Sequence, residues 1–275
     1  MPEHQQDIAK ADIPTRPLKL KLKLLEKKSH ISTDIVSFKF ARRSEDVNQK
    51  QRDHDYSLNY KAGQYAVLDL GTKEDPEGPI RSFTLASSPT EENFILISTR
   101  IRDTLFKKKL ASLDVGISVT LTAPLGKFVL HEDYSKTAVF LSGGIGVTPF
   151  RSMIKYATDK QLPVKITMFD SNRNEQNILY KDEFNEWVDT NKNLKIVFAI
   201  TEEDGEKQSS TSSWTRERGR IDKEMLTKHL SSDEVNHAIF YVCGPPAMLN
   251  AMKSILEDEL RITKERIKVE EFIGY

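Results

Sequence analysis

One cysteine, Cys243, stands in 275 residues. An internal disulfide is therefore excluded, and so are zinc or iron–sulfur sites built from several thiolates of one chain. With no pairing framework, a cytosolic (cytoplasmic) protein is the expectation. An excess of one charge is also missing: 41 basic and 41 acidic residues leave a formal net charge of +0. No global field draws the chain to nucleic acid or to an anionic membrane. No apolar run approaches the ~18 residues of a membrane helix, so no membrane insertion is expected. The opening MPEHQQDIAKADIPTRP has no apolar core of a signal peptide, and residues 1–14 are expected to form a flexible tail. The six histidines are scattered, without His-Glu-x-x-His spacing, and no metal site is expected. No internal repeat is present.

What is there divides in two. In the first half Leu18, Leu20, Leu22 and Leu24 alternate with Lys19, Lys21 and Lys23, the period of a strand. Further strands are predicted at 31–40, 64–70, 82–87, 94–100 and 119–122. Short strands between turns predict an all-β barrel or sandwich. Two polar insertions, 42–59 and 71–79, read as surface loops. One helix interrupts them, capped by Asp103 or Thr104, with Phe106, Leu110 and Leu113 on its apolar face and Gly116 at its end. Lys107–Lys109 read as its solvated side. Past about residue 135 the rhythm becomes strand, turn, helix. Strands are predicted at 136–141, 163–169, 194–200, 238–242 and 267–272, and helices at 149–160, 180–188, 223–230 and 246–256. A polar, serine-rich loop lies at 208–215. The alternation predicts an α/β unit with a parallel sheet. The expected division is a domain over 15–132 and an α/β domain over 136–275, meeting near His131–Ser135.

Two glycine turns carry chemistry. Leu141-Ser142-Gly143-Gly144-Ile145-Gly146-Val147-Thr148-Pro149 follows an apolar strand and opens a helix. Such turns hold ligands beyond the carboxyl ends of the strands of an α/β sheet. Thr148 suits the cap, Pro149 suits the first helical position, and a helix start favours phosphate. With Pro149 where a third glycine would stand, either a dinucleotide site or a tight strand-to-helix turn fits. Cys243-Gly244-Pro245-Pro246 repeats the arrangement and can form the opposite lip of a crevice. Cys243 itself is either part of that lip or a small buried residue. In the β-rich half, Arg81-Ser82-Phe83-Thr84 places an arginine, an aromatic and hydroxyls on one strand. That set suits a ligand with a pyrophosphate and a flat ring, or an ordinary strand with an exposed arginine.

In order, R-S-F-T, G-G-I-G-V-T-P, C-G-P-P-A-M and the terminal E-E-F-I-G-Y resemble the ferredoxin–NADP reductase superfamily, which includes cytochrome b5 reductase and the reductase part of flavohaemoglobin. The resemblance spans Pro17 to Tyr275. It implies an antiparallel flavin-binding barrel followed by a Rossmann-like nicotinamide-binding α/β domain. By this resemblance Arg81 contacts the flavin pyrophosphate, with Ser82 beside it. Phe83 lies against the flavin, Thr84 sits near its N5, and Ser87 is close to the phosphates. Thr104, Leu105 and Phe106 form a second phosphate segment, which favours FAD over FMN. Gly143, Gly144, Gly146 and Thr148 hold the dinucleotide, with Cys243, Gly244 and Pro245 beside the nicotinamide. Phe272 or Tyr275 covers the flavin, and Glu270 assists proton or hydride movement or is a charge at a strand end. Thr84, Cys243 and Glu270 are thus the candidate catalytic residues.

Two departures stand out. Ala123-Pro124 replaces the usual Gly-Pro. Thr201-Glu202-Glu203 replaces the Ser and Arg that grip a 2′-phosphate, which points to NADH, although Arg173, Arg216, Arg218 and Arg220 are near enough in sequence to serve NADPH. The implied function is hydride transfer from NADH or NADPH to FAD. Single electrons then pass to a separate acceptor such as a ferredoxin, a flavodoxin, a cytochrome or an oxygenase component. The alternatives are an FAD-binding sensor or assembly subunit without turnover, or a nucleotide-binding protein without flavin. A subunit of the dihydroorotate dehydrogenase type is disfavoured by the missing cluster cysteines.

Overall fold

The computed structural model describes residues 16–30, 33–44, 58–202 and 215–271. The expected N-terminal tail, most of the 42–59 insertion, most of the 208–215 loop, Glu203, Phe272 and Tyr275 lie outside the described residues.

Six antiparallel strands form the first sheet: β1 (Leu18–Ser29), β2 (Ile35–Ala41), β3 (Tyr65–Asp69), β4 (Ile80–Thr84), β5 (Phe94–Arg100) and β6 (Ser118–Leu125), in the order β4-β3-β6-β1-β2-β5. The alternation in β1 does what its period requires: Leu20, Leu22 and Leu24 are buried while Lys19, Lys21 and Lys23 are exposed. Leu20 lies opposite Leu121, and Leu22 opposite Val119. Beyond β4 the chain bends to β5, and Ala86 N donates to Leu96 O at 2.8 Å, nearly closing a barrel. Helix α1 (Leu105–Ser112) buries Phe106 and Leu110; of the two expected caps Thr104 serves, and the helix stops at Leu113, before Gly116.

Six parallel strands form the second sheet: β7 (Ala138–Gly143), β8 (Ile166–Asn172), β9 (Leu194–Ile200), β10 (Thr215–Arg218), β11 (Ile239–Gly244) and β12 (Ile267–Glu271), in the order β10-β9-β8-β7-β11-β12. Helices α2 (Thr148–Asp159), α3 (Lys181–Thr190), α4 (Lys223–His229), α5 (Ser232–His237) and α6 (Pro246–Ser254) cover it. β7 runs two residues past its predicted end, so Gly143 is still strand. Tyr180 is not helical: it precedes α3 with φ 63°, and its hydroxyl reaches across to Ser98 Oγ at 2.6 Å. β10 and α5 were not predicted.

The two sheets share a core. Ile35, Ala62 and Phe128 of the first half belong to one buried cluster with Phe140, Phe150, Met153 and Tyr241 of the second. The Phe140 and Phe150 rings stack at 4.6 Å, and Phe128 meets Phe150 at 5.8 Å and Tyr241 at 5.6 Å. Burying aromatic surface of this kind fixes how the two halves face each other.

Candidate functional site

A cleft of about 1270 Å³ opens where β7, β8 and β11 end, and the barrel supplies its other wall. Gly143, Gly144 and Pro245 line one side, Asn172, Thr201 and Glu202 one end, and Arg100 and Arg102 of the barrel the far side. Both glycine turns therefore reach one cleft, but side by side on the same wall rather than as opposite lips, because β7 and β11 are neighbouring strands.

The glycines do different work. Gly144 has φ +55°, a left-handed conformation, and a Cβ there would stand 3.9 Å from Arg100 Nη2. This glycine faces the cleft. A Cβ on Gly146 would meet Cys243 O at 2.3 Å, and one on Gly143 would meet Met248 Sδ at 2.4 Å. Those two glycines, with Gly244, bring the turns together from beneath. The turn is a 3₁₀ segment, Gly144–Val147, that runs straight into α2. Thr148 is thus already helical, and its hydroxyl donates to Ile145 O at 3.0 Å; it is not the cap predicted for it.

On the barrel, Arg81 donates to Asp75 Oδ1 at 2.7 Å and to three carbonyls, those of Glu77, Gly78 and Ile80. Phe83 packs on Phe106 with ring centroids 6.0 Å apart, Thr84 is buried, and Ser82 is exposed. The start of α1 is not the free phosphate seat that the sequence implied. Thr104 Oγ1 accepts from Lys107 N, and Asp75 Oδ2 accepts from Phe106 N at 2.8 Å. Leu105 is exposed. Ser87 is fully buried, its hydroxyl held by Tyr60 and Leu96 N.

What fits an anion here is Lys107, which the sequence placed on a solvated face. Its Nζ sits 4.6 Å above the Phe83 ring and donates to Thr99 Oγ1. Burial, then Arg81 and Arg102, bring its pKa down to about 8. A largely buried ammonium beside two guanidiniums suits a pyrophosphate. Only tertiary structure buries this lysine, so its sequence gave no signal.

A lysine whose pKa falls on folding costs stability while it is charged in both states, and the cost disappears as pH rises past the unfolded value. Lys107→Met should therefore stabilise the flavin-free protein at pH 7 by up to about 3 kcal/mol. The gain should vanish between pH 8 and 10.5. FAD affinity should fall by roughly ten- to a hundredfold with the lost charged hydrogen bond. Urea melts at pH 7 and above pH 10, with a fluorescence titration of FAD, check both.

Across the sheet, in-register pairing sets Asp170, Ser142, Cys243 and Glu270 in one row over four strands. Cys243 is fully buried, and burial with the nearby Glu270 keeps its thiol neutral. Its side chain does not line the cleft; its carbonyl backs Gly146. Glu270 is half-buried at the edge strand, and burial raises its pKa.

Between the halves lies a cluster that the sequence did not reveal. Arg151 of α2 is 2% exposed and grips two carboxylates. Its nitrogens donate to Glu91 at 2.9 and 3.0 Å and to Glu183 at 2.8 and 2.5 Å, and Nη1 also reaches Ala86 O at 2.8 Å. Tyr180 and Trp187 cover the guanidinium faces. Next to it Ser152 Oγ donates to Ser87 O at 2.6 Å. Helix α2 thus starts at the glycine turn and is fastened to the barrel one turn later.

At the other end Arg173 Nε stands 3.8 Å from Glu202 Oε1, both exposed, and Glu202 N donates to Arg173 O at 2.8 Å. Arg216 is held by Glu175 at 2.9 Å, and Arg220 lines the cleft. Among the described residues no cluster of three or more metal-ligating side chains occurs, and no helix is long and apolar enough to cross a membrane.

Residues 140–254 match the family described as an oxidoreductase NAD-binding domain. Flavohemoprotein A of Dictyostelium discoideum is 28% identical over 261 residues, covering 90% of this chain and 59% of that protein. NADH-cytochrome b5 reductase 1 of Aspergillus terreus is 26% identical, covering 88% of this chain and 78% of that protein. The chain spans little more than half the length of the first curated relatives it matches. A crystal structure of the FAD/NAD-binding domain of a Vibrio cholerae nitric oxide dioxygenase superposes with a TM-score of 0.72 at 19% identity, over 92% of this chain and 98% of that one. An Amycolatopsis cytochrome P450 reductase gives 0.72 at 20% identity, over 93% and 70%. Both likenesses concern the fold: an antiparallel barrel beside a parallel sheet with helices. Its four ordered motifs, its matched NAD-binding segment and this fold make the chain similar to the FAD-dependent NAD(P)H reductases of the ferredoxin–NADP reductase superfamily.

Proposed function

We propose that this chain takes a hydride from a reduced nicotinamide dinucleotide, NADH by preference, and delivers single electrons to a separate small redox protein or oxygenase component in the cytoplasm. Residues 15–132 are the FAD-binding part and 136–275 the nicotinamide-binding part. The observation that carries the reading is the cleft itself. The turn at Gly144 and the Arg100 guanidinium of the barrel stand on opposite walls, close enough for one diphosphate to touch both. FAD, when bound, accepts the hydride and gives up electrons one at a time.

The protein's part is placement and charge. Arg81, Lys107 and Arg102 hold the flavin diphosphate, while Phe83 and Thr84 support the ring above β4. Gly144, Arg100 and the lip at Gly244-Pro245 hold the dinucleotide. Cys243, its thiol neutral and turned away from the cleft, supports the turn at Gly146 through its backbone carbonyl, and Glu270, in register beside it, is a half-buried carboxyl able to carry a proton. Glu202 accepts from ribose hydroxyls and repels a 2′-phosphate.

The test is an anaerobic titration of the purified yellow protein. NADH should bleach its visible flavin bands within seconds and NADPH at least tenfold more slowly. Faster bleaching by NADPH would overturn the preference. Bleaching by neither would overturn the reductase in favour of a flavin-binding subunit without turnover.

A further inference from the structure

We infer that Asn172, locked in orientation by the buried Asp170, is a specificity-determining residue that accepts a hydrogen bond from a ribose hydroxyl of the dinucleotide and so selects NADH over NADPH. The inference rests on the reading of the cleft as the dinucleotide site.

Asn172 ends β8 and lines the cleft, and Thr201 N and Oγ1 donate to its backbone carbonyl at 3.0 and 3.3 Å. Its side chain is almost fully buried, at 6% exposure. Nδ2 donates to Asp170 Oδ2 at 2.7 Å and approaches Asp170 O at 3.4 Å. The other carboxylate oxygen of Asp170 accepts from Ser142 Oγ at 2.5 Å. Asp170 is 1% exposed and has no cationic partner among the described residues.

A buried carboxylate without a cation is costly, and an apolar side chain in the sheet would be cheaper. Burial pushes its pKa up to about 6, which still leaves it ionised at neutral pH. What the carboxylate secures is direction. An ionised Asp only accepts, so Asn172 must turn its NH₂ group inward. Its Oδ1 then faces the cleft, and no described residue donates to it. The cleft end beyond Asn172 therefore presents two acceptors, Asn172 Oδ1 and the Glu202 carboxylate. A ribose hydroxyl can donate to either, whereas a 2′-phosphate dianion has only acceptor oxygens. Other dinucleotide folds place an acidic acceptor for the ribose at a comparable distance from the glycine turn. Here an amide takes that place and the acid stands behind it. Arg173 and Arg220 border the same end and work in the opposite sense, so the outcome is measurable in both directions.

The test titrates the full-length, FAD-loaded protein with ADP-ribose and with 2′-phospho-ADP-ribose by calorimetry. Asn172→Ala should weaken ADP-ribose about tenfold, the equivalent of one hydrogen bond, without weakening the phosphorylated ligand. Asp170→Asn should act the same way, because an amide at 170 lets the Asn172 side chain turn over. KM for NADH should rise in step while kcat holds. Equal weakening of both ligands would reduce the pair to packing and overturn the inference, as would unchanged ADP-ribose binding. If the unaltered protein binds neither fragment, the reading of the cleft falls, and the inference with it.

Discussion

Replacing Arg151 by methionine should lower the melting temperature by roughly 10 °C and uncouple the two halves of the protein. The guanidinium is held by two carboxylates from different elements, Glu91 before β5 and Glu183 in α3, and is covered by two aromatic rings. Methionine fills much of the same volume, so the loss is electrostatic. Glu91, 13% exposed at its side chain, loses its cationic partner and is left with Ser88 N. Breaking a buried pair in this way costs about 3–5 kcal/mol. The triple variant Arg151→Met, Glu91→Gln, Glu183→Gln removes the orphaned charges and should recover most of that stability. It should not recover the rate of flavin reduction, because the fastening between α2 and the barrel is gone. Differential scanning calorimetry and stopped-flow reduction by NADH separate the two effects. A single variant that melts with the unaltered protein would show that the triad contributes nothing to the junction.

Gly146→Ala should reduce kcat/KM for NADH about a hundredfold and leave the FAD spectrum unchanged. The added carbon would stand 2.3 Å from Cys243 O, 2.6 Å from Cys243 C and 2.8 Å from Gly244 Cα. All three are backbone atoms in the adjacent strand end, so no side chain can swing aside. The turn or β11 must move by about an ångström, and misplacement on that scale costs roughly a hundredfold in rate. Gly116→Ala is the matching control. Its φ is +96° and nothing lies within 4 Å, so only the backbone conformation resists, at about 1–2 kcal/mol. Single-turnover reduction of both variants checks the contrast; a Gly146→Ala protein within twofold of the unaltered rate would contradict the close approach.

The barrel strands and the glycine turns were legible because their signals are local. Leu20, Leu22 and Leu24 carry their burial in their own spacing, and Phe106 and Leu110 mark the inner face of α1. β10 was not legible: Thr215-Arg216-Glu217-Arg218 is a four-residue edge strand with no apolar alternation, fixed by pairing with β9. α5 had a signal that could have found it, the capping box between Ser231 and Glu234. The residues that complete the site were hidden for another reason. Arg151 looks like any helical arginine until Glu91, distant in the chain, is placed beside it. Arg100 acquires meaning only when the barrel faces the second sheet, and Lys107 only when α1 packs it over Phe83 and beside Thr99. Asp170 is one carboxylate among 41 acidic residues until Ser142 and Asn172 enclose it.

The shared aromatic cluster also has a consequence for biosynthesis. Phe128 and Ala62 leave the ribosome before Phe150, and well before Tyr241, against which they are finally buried. The barrel can close its own strands as it emerges, but one of its faces stays wet and apolar until β11 has been made. The nascent protein therefore passes through a stage in which a finished first half carries an adhesive surface. A stop or slow stretch of translation between β7 and β11 would prolong that stage, and cells making the protein should show it as chaperone-bound, truncated chain.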